Sequence, residues 1–291
     1  MQVSNSPQTI VSARFDKARF EKILALVIER QWLQSRDKGL AALNDVCPNE
    51  ACFDLLLDLL RRFHFFSMLE AKNQVTALAA KAESALTLKP DQTVFTCLSD
   101  PERANSSQVV LTWLKNSFAE RGDWEKEQFF PDIGKAVHEV PSNGFLVLVD
   151  DFVGTGKTLT NKCAYARKVF QKRNLANTQL ALVSLAAMEF SRPTIDAEIG
   201  HDKAFIGYFL PKGISDHFVG NDLANAISAM QECEALLSDF DGSKVLESFG
   251  YQKSESLYSI DSTSTPDNVF PIFWWRRFKD GNRRHTVLTR A

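Results

Sequence analysis

Five apolar residues in a row, Phe145-Leu146-Val147-Leu148-Val149, run straight into two acids, Asp150 and Asp151. After Phe152 and Val153 comes a loop of small and hydroxylated residues, Gly154-Thr155-Gly156-Lys157-Thr158. A strand with no polar face is stable only when both faces are covered, which suits a central strand of a parallel sheet. Behind the loop, Leu159, Cys163, Ala166 and Phe170 share one face at helical spacing. The unit is a strand, an acidic turn, a phosphate-sized loop and a helix, and a chain built around it is expected to be α/β.

The neighbouring pattern agrees. Residues 93–98, 180–187 and 204–210 read as short buried strands, and residues 109–118 as a helix with Ser106 and Ser107 as candidate caps. Alternation of strand and helix predicts a mostly parallel sheet, with ligands beyond the carboxyl ends of its strands. Further helices are expected around residues 222–240 and 243–249, followed by an aromatic and basic tail. Earlier in the chain, Phe15, Phe20, Ile23, Leu24, Val27 and Ile28 form a helical stripe, and Asn49 can cap a helix bearing Phe53, Leu56, Leu59, Leu60 and Phe63. Residues 1–88 therefore read as an all-helical region and residues 89–291 as the α/β domain, with Lys89-Pro90-Asp91 as the turn between them.

The 291 residues are enough for one large domain or two modest ones, and 44% hydrophobic with 24% charged residues is ordinary for a globular protein. No stretch approaches the roughly 20 apolar residues of a membrane span. Met1-Gln2-Val3-Ser4-Asn5-Ser6 is not a charged start followed by an apolar run, so a cytoplasmic location is expected. Five cysteines with no clustered spacing fit reduced thiols better than a disulfide framework. Cys47, Cys52 and His64 lack a fourth ligand at a recognised zinc spacing, and no protein metal site is expected.

Each part of the central unit has a physical task. Adjacent carboxylates at a strand end can accept hydrogen bonds from the vicinal hydroxyls of a sugar, more strongly than neutral acceptors can. Gly154 and Gly156 let backbone amides approach a ligand, Thr155 and Thr158 add hydroxyls, and the free amides of a helix start favour a phosphate. This combination matches a sugar phosphate.

The order of residues resembles the diphosphoribosyl-binding motif of type I phosphoribosyltransferases: apolar strand, two acids, two apolar residues, then a Thr-Gly-x-Thr-type loop. The resemblance implies that Asp150 and Asp151 hold the ribose hydroxyls and that residues 155–158 wrap the 5′-phosphate. It also implies that Mg2+ bridges ribose and diphosphate oxygens of phosphoribosyl diphosphate or a related nucleotide, with transfer or hydrolysis at the ribose C1. In such a fold the loop Ser99-Asp100-Pro101-Glu102-Arg103-Ala104-Asn105-Ser106-Ser107 leads from the first strand to the diphosphate, with Ser99 and Arg103 as its candidate contacts. Many purine-handling members carry an acid where this chain has Gly154, which puts base transfer in doubt.

The segment Thr265-Pro266-Asp267-Asn268-Val269-Phe270-Pro271-Ile272-Phe273-Trp274-Trp275 resembles the closing strand of phosphoribosyltransferase-like proteins of bacterial conflict, or anti-phage, systems. That implies a defence role, with a protein partner from such a system.

Other readings stand beside these. Gly156-Lys157-Thr158 invites a P-loop, although that motif needs a glycine where Asp151 stands. A buried strand ending in acids and a glycine turn also occurs as plain architecture, and the main rival to an activity at the ribose C1 is a non-catalytic nucleotide-sensing module that regulates a protein or nucleic-acid partner. Trp274 or Trp275 could stack on a base or anchor a core edge. The last sixteen residues carry Arg276, Arg277, Lys279, Arg283, Arg284 and Arg290 against one acid, Asp280, and fit a solvated tail, or else a contact to diphosphate or to nucleic acid.

Overall fold

The structure is a computed structural model that describes residues 16–99, 105–122, 124–125, 128–175 and 177–290. Three helices come first: α1 (Lys17–Glu29), α2 (Asp37–Asp45) and α3 (Glu50–Arg61). The Asn49 side chain caps α3 by accepting from the Cys52 amide at 2.9 Å, and Phe53, Leu56, Leu59 and Leu60 are buried as the spacing predicts. The α1 stripe is split. Leu26 is the buried residue, with Ile23 and Val27 packed beside it, while Phe20, Leu24 and Ile28 are 49%, 47% and 68% exposed. At 100° per residue, positions 20, 24 and 28 drift off the face that holds 23, 26 and 27. Phe15 lies outside the described residues.

Residues 1–88 are not wholly helical, because His64–Phe66 forms strand β1 ahead of helix α4 (Met68–Leu86). Helix α4 is fixed at its start by a capping box between Ser67 and Glu70. The chain then alternates through β2 (Thr93–Cys97), α5 (Ser106–Ala119), β3 (Phe129–Phe130), α6 (Ile133–Glu139), β4 (Phe145–Val153), α7 (Lys157–Lys172), β5 (Gln179–Met188), α8 (Arg192–Glu198) and β6 (Ala204–Leu210). The five strands form one parallel sheet in the order β3-β2-β4-β5-β6. The expected α/β architecture with a mostly parallel sheet is what the chain adopts.

Strand β4 sits at the centre, covered on both faces. Val147 and Val149 pack in the core shared with α4 and α5, and Leu146 and Leu148 in the core shared with α6 and α7. This is the two-sided burial that an apolar run requires. The alternation slips by one residue at the acids: Phe152 rejoins the face of Val147 and Val149, and Val153 that of Leu146 and Leu148. The same slip occurs beside it in β5, where Ala186 and Met188 join the face of Ala181 and Val183. Asp150 and Asp151 thus stand where regular pleating breaks.

After β6 come α9 (Gly220–Glu234), the antiparallel pair β7 (Phe240–Asp241) and β8 (Lys244–Val245), and β9 (Tyr258–Ile260). Residues 243–249 are therefore not a helix; Gly242-Ser243, with Gly242 at φ +65°, makes a two-residue hairpin turn between β7 and β8 instead. Nor is residues 265–275 a closing strand. Pro266 and Pro271 remove the amides a ladder needs, and Pro271–Phe273 is a single 3-10 turn. The last strand is β9, which pairs in parallel with β1, His64 opposite Tyr258.

The basic C-terminal segment is not a loose tail: Val287 and Leu288 are 0% and 2% exposed. These residues, with α1–α3, α9, Phe270, Phe273 and both tryptophans, make one core. Trp274 and Trp275 are 7% and 1% exposed, which decides for the core anchor over base stacking.

Candidate functional site

A cavity of about 690 Å3 opens at the carboxyl end of β4. Asp150, Asp151, Gly154, Thr155, Gly156, Lys157, Thr158 and Ser99 all line it. Of the residues that the sequence singles out, only Arg103 is missing, because it lies outside the described residues. The volume suits a mononucleotide-sized ligand.

The two acids differ in depth. Asp151 is only 5% exposed, deeper than a loop-mouth position implies, because β4 runs on to Val153. Its Oδ1 accepts from Ser106 Oγ at 2.7 Å, and its carbonyl from Tyr258 Oη at 3.0 Å. Tyr258 is fully buried and stacked on Phe152 at 4.7 Å, so β9 braces the acidic turn. Ser106 does not cap α5; Asn105 does, accepting from the Gln108 amide at 3.1 Å. That leaves the Ser106 hydroxyl for the carboxylate. Asp150 accepts from the Asp151 amide at 3.0 Å.

Burial, and then the charge of Asp151, push the Asp150 carboxyl well above its ordinary range. Burial also raises Asp151, against the Ser106 hydrogen bond that lowers it. Two carboxylates this close cannot both ionise easily without a cation or hydroxyl donors beside them. An incoming ligand would supply what the pair lacks.

Opposite the acids, Gly156 turns the chain into α7 at φ +79°, a conformation that an L-residue adopts only with strain, and a Cβ there would also meet Thr194 Cγ2 at 2.9 Å. Gly156 has no side chain to cap the helix. The first amides of this 16-residue helix therefore face the cavity, where an anion is favoured. The Lys157 amide makes only a long 3.4 Å bond to Thr155 Oγ1. Its ammonium reaches away to Tyr251 Oη at 3.5 Å rather than folding over the loop, which is not the geometry of a P-loop lysine.

From the sequence, the remaining wall has no part in the site beyond Arg290, one of the basic residues read as able to contact diphosphate. It consists of Tyr251, Ser264, Thr265, Pro266, Asp267, Asn268 and Arg290. Asn268 packs on Gly154 so closely that a Cβ built on the glycine would lie 2.6 Å from the Asn268 Cγ. Asn268 Nδ2 donates to Ser254 Oγ at 2.8 Å. Arg290 Nη1 donates to the Thr265 carbonyl at 2.6 Å and Nη2 pairs with Asp267 at 3.3 Å, while the Thr265 amide donates to the Thr289 carbonyl. Pro266-Asp267-Asn268 carries a turn signal, but nothing local says that this turn meets residue 154.

Residues 30–290 match the PRTase-CE family. The chain belongs to that family. It is thus a phosphoribosyltransferase-like protein. Among solved structures, it is similar to the hypoxanthine-guanine phosphoribosyltransferase of Schistosoma mansoni in complex with IMP, at 14% identity and a TM-score of 0.34. That match covers 49% of this chain and 65% of the other, so the chain spans less than two thirds of that protein. No curated protein matches. Ligand and reaction therefore rest on the cavity of this PRTase-CE protein itself.

Among the described residues, no group of three or more His, Cys, Asp and Glu side chains is arranged to hold a metal, and no helix is long and apolar enough to cross a membrane. The five cysteines are buried and unpaired.

Proposed function

We propose that this protein binds phosphoribosyl diphosphate or a related nucleotide together with Mg2+, and acts at the ribose C1 by transfer or hydrolysis. One observation carries the reading: a pair of carboxylates, Asp151 buried and Asp150 half-buried, and the uncapped start of α7 open onto the same cavity. Asp150 and Asp151 accept from the 2′ and 3′ hydroxyls, and Thr155 to Thr158 take the 5′-phosphate through hydroxyls and helix-start amides. Ser99 and, from the same loop, Arg103 serve the diphosphate.

The two hard oxygen donors, both raised by burial and Asp150 also by the charge of Asp151, fit a divalent cation whose other ligands come from the substrate. Mg2+ bound there would neutralise the diphosphate. In the reaction, the C1–O bond to diphosphate breaks and diphosphate leaves with the electron pair. A water or base nucleophile forms the new bond at C1 and gives up a proton. Asp150 and Asp151 stabilise the positive charge that develops on the sugar in between.

Gly154 brings no acid to that centre, and the Asn268 carboxamide that fills its space can donate and accept hydrogen bonds but not take a proton. This favours hydrolysis or tight binding over base transfer. It also supports a second reading, a non-catalytic nucleotide sensor. The resemblance to conflict-system proteins supports a role as an anti-phage effector with a protein partner.

The test is incubation with phosphoribosyl diphosphate, Mg2+ and each common nucleobase, with products separated by chromatography. Diphosphate release without a base is expected if the protein hydrolyses, and tight binding without turnover if it senses. Rapid mononucleotide synthesis would show the Gly154 argument wrong, and neither binding nor turnover would sink the whole reading.

A further inference from the structure

Beyond the sugar-phosphate cavity lies a second, smaller one of about 290 Å3. Lys244, Arg276, Arg277, Arg283 and Arg290 line it with Trp274, Trp275, Gly242 and a single acid, Asp241. Arg290 belongs to both cavities. The whole chain carries a net charge of -2, so this concentration of cations is local and is not a reflection of overall composition.

Two of these cations, Arg276 and Arg283, are not used up by the fold, whereas Arg290 also pairs with Asp267 at 3.3 Å. Arg277 is partly neutralised, its Nε donating to Asp241 at 2.7 Å. By contrast, Arg276 and Arg283 are exposed and, among the described residues, have no side-chain hydrogen bond or ion pair. Arg290 lies over the Trp274 ring at 5.0 Å, and its Nε is buried without a partner. Unlike a loose basic tail, these groups are held in one concave surface: the Arg284 amide donates to the Arg276 carbonyl, and Phe278 pairs with Asn282 and Leu237. Holding several guanidinium groups together costs self-repulsion, which an anionic ligand relieves.

We propose that this pocket is a phosphate subsite for a single-stranded polynucleotide, which Arg290 joins to the neighbouring cavity. Guanidinium forks match phosphate oxygens, and exposed arginines spread along a wall suit successive backbone phosphates better than one isolated anion. A pocket of about 290 Å3 has room for a few backbone groups of one strand and not for a duplex. Both tryptophans are buried in its wall, so recognition runs through the backbone and is expected to be independent of sequence. The inference does not need the cavity at Asp150 to bind phosphoribosyl diphosphate.

The experiment measures fluorescence anisotropy of a short labelled oligothymidylate over a range of salt concentrations, against wild type and Arg276→Ala with Arg283→Ala. Phosphoribosyl diphosphate binding is followed in parallel. The double variant should bind the oligonucleotide at least tenfold more weakly, with the salt slope reduced by about two, and should keep wild-type affinity for phosphoribosyl diphosphate and a wild-type circular dichroism spectrum. Arg290→Ala should weaken both ligands. Wild-type oligonucleotide affinity in the double variant would overturn the proposal, as would no binding by wild type or equal competition by polyglutamate of matched charge. Oligonucleotide binding without phosphoribosyl diphosphate binding would leave this inference standing and remove the sugar-phosphate assignment.

Discussion

One wall of the main cavity is made from consecutive residues, Asp150 to Thr158, while the wall facing it is drawn from Tyr251, residues 264–268 and Arg290. The first is positioned by the register of a central strand and the start of a helix. The second comes from three separate segments, a 3-10 turn at Tyr251–Lys253, residues 264–268 and Arg290, tied by the Tyr251 amide to the Asp267 carbonyl, by the Thr265–Thr289 backbone bond and by the Arg290 guanidinium. The contrast teaches that the near wall carries ligand chemistry, whereas the far wall sets the room available for it. Substitutions in the two should fail differently.

The largest effect is expected in the near wall. Asp150→Ala with Asp151→Ala should weaken phosphoribosyl diphosphate at least a hundredfold, about 3 kcal/mol, by calorimetry, while thermal unfolding shows that the chain stays folded. An equal loss of fold and affinity would mean that Asp151, being so deeply buried, is structural.

The contact between the walls is tested next. Gly154→Ala should destabilise the protein by about 1–3 kcal/mol through overpacking, because its Cβ would run into the Asn268 carboxamide. Adding Asn268→Gly should recover most of that loss in thermal melts. If the double variant is no better than Gly154→Ala alone, the two walls do not meet as described.

A titration prediction concerns Glu234, in the core behind the far wall. Its carboxyl accepts from Ser248 Oγ at 2.6 Å and the Phe249 amide at 3.0 Å, yet Oε1 has no partner. Burial pushes it from an ordinary 4.5 up to about 7. Between those values the folded chain keeps a proton that the unfolded chain has lost, so the stability is full below about pH 4.5 and falls as pH rises through about 7. The loss is up to about 3 kcal/mol. Glu234→Gln should flatten this dependence and raise the melting temperature at pH 8, with no change in ligand affinity. Smaller still, Tyr258→Phe should cost about 1 kcal/mol by removing the bond to the Asp151 carbonyl, and Lys157→Ala should change affinity less than threefold.

The same contrast explains what was legible in the sequence. Strand β4, the acids, the phosphate loop and the buried face of α7 declare themselves because the physics is local: an apolar run, then glycines, then helical spacing. The Asn49 cap and the strands β5 and β6 were legible for the same reason. What could not be read was long-range or cooperative. Nothing near Asn268 in the chain points to Gly154, and nothing near Ser106 says that its hydroxyl goes to Asp151 while Asn105 caps the helix. The stripe on α1 misled because its outer residues Phe20, Leu24 and Ile28 are as apolar as the inner ones. The prolines at 266 and 271 could have warned against a strand there.

The central claim is that buried carboxylates and a helix start form one sugar-phosphate site. It is tested most directly by calorimetric titration of the wild-type protein with phosphoribosyl diphosphate, in the presence of Mg2+ and again with the metal chelated. Saturable binding at one site per chain, at least tenfold tighter with Mg2+, is the predicted result; no binding in either condition, or binding that the Asp150→Ala, Asp151→Ala protein retains in full, would contradict it.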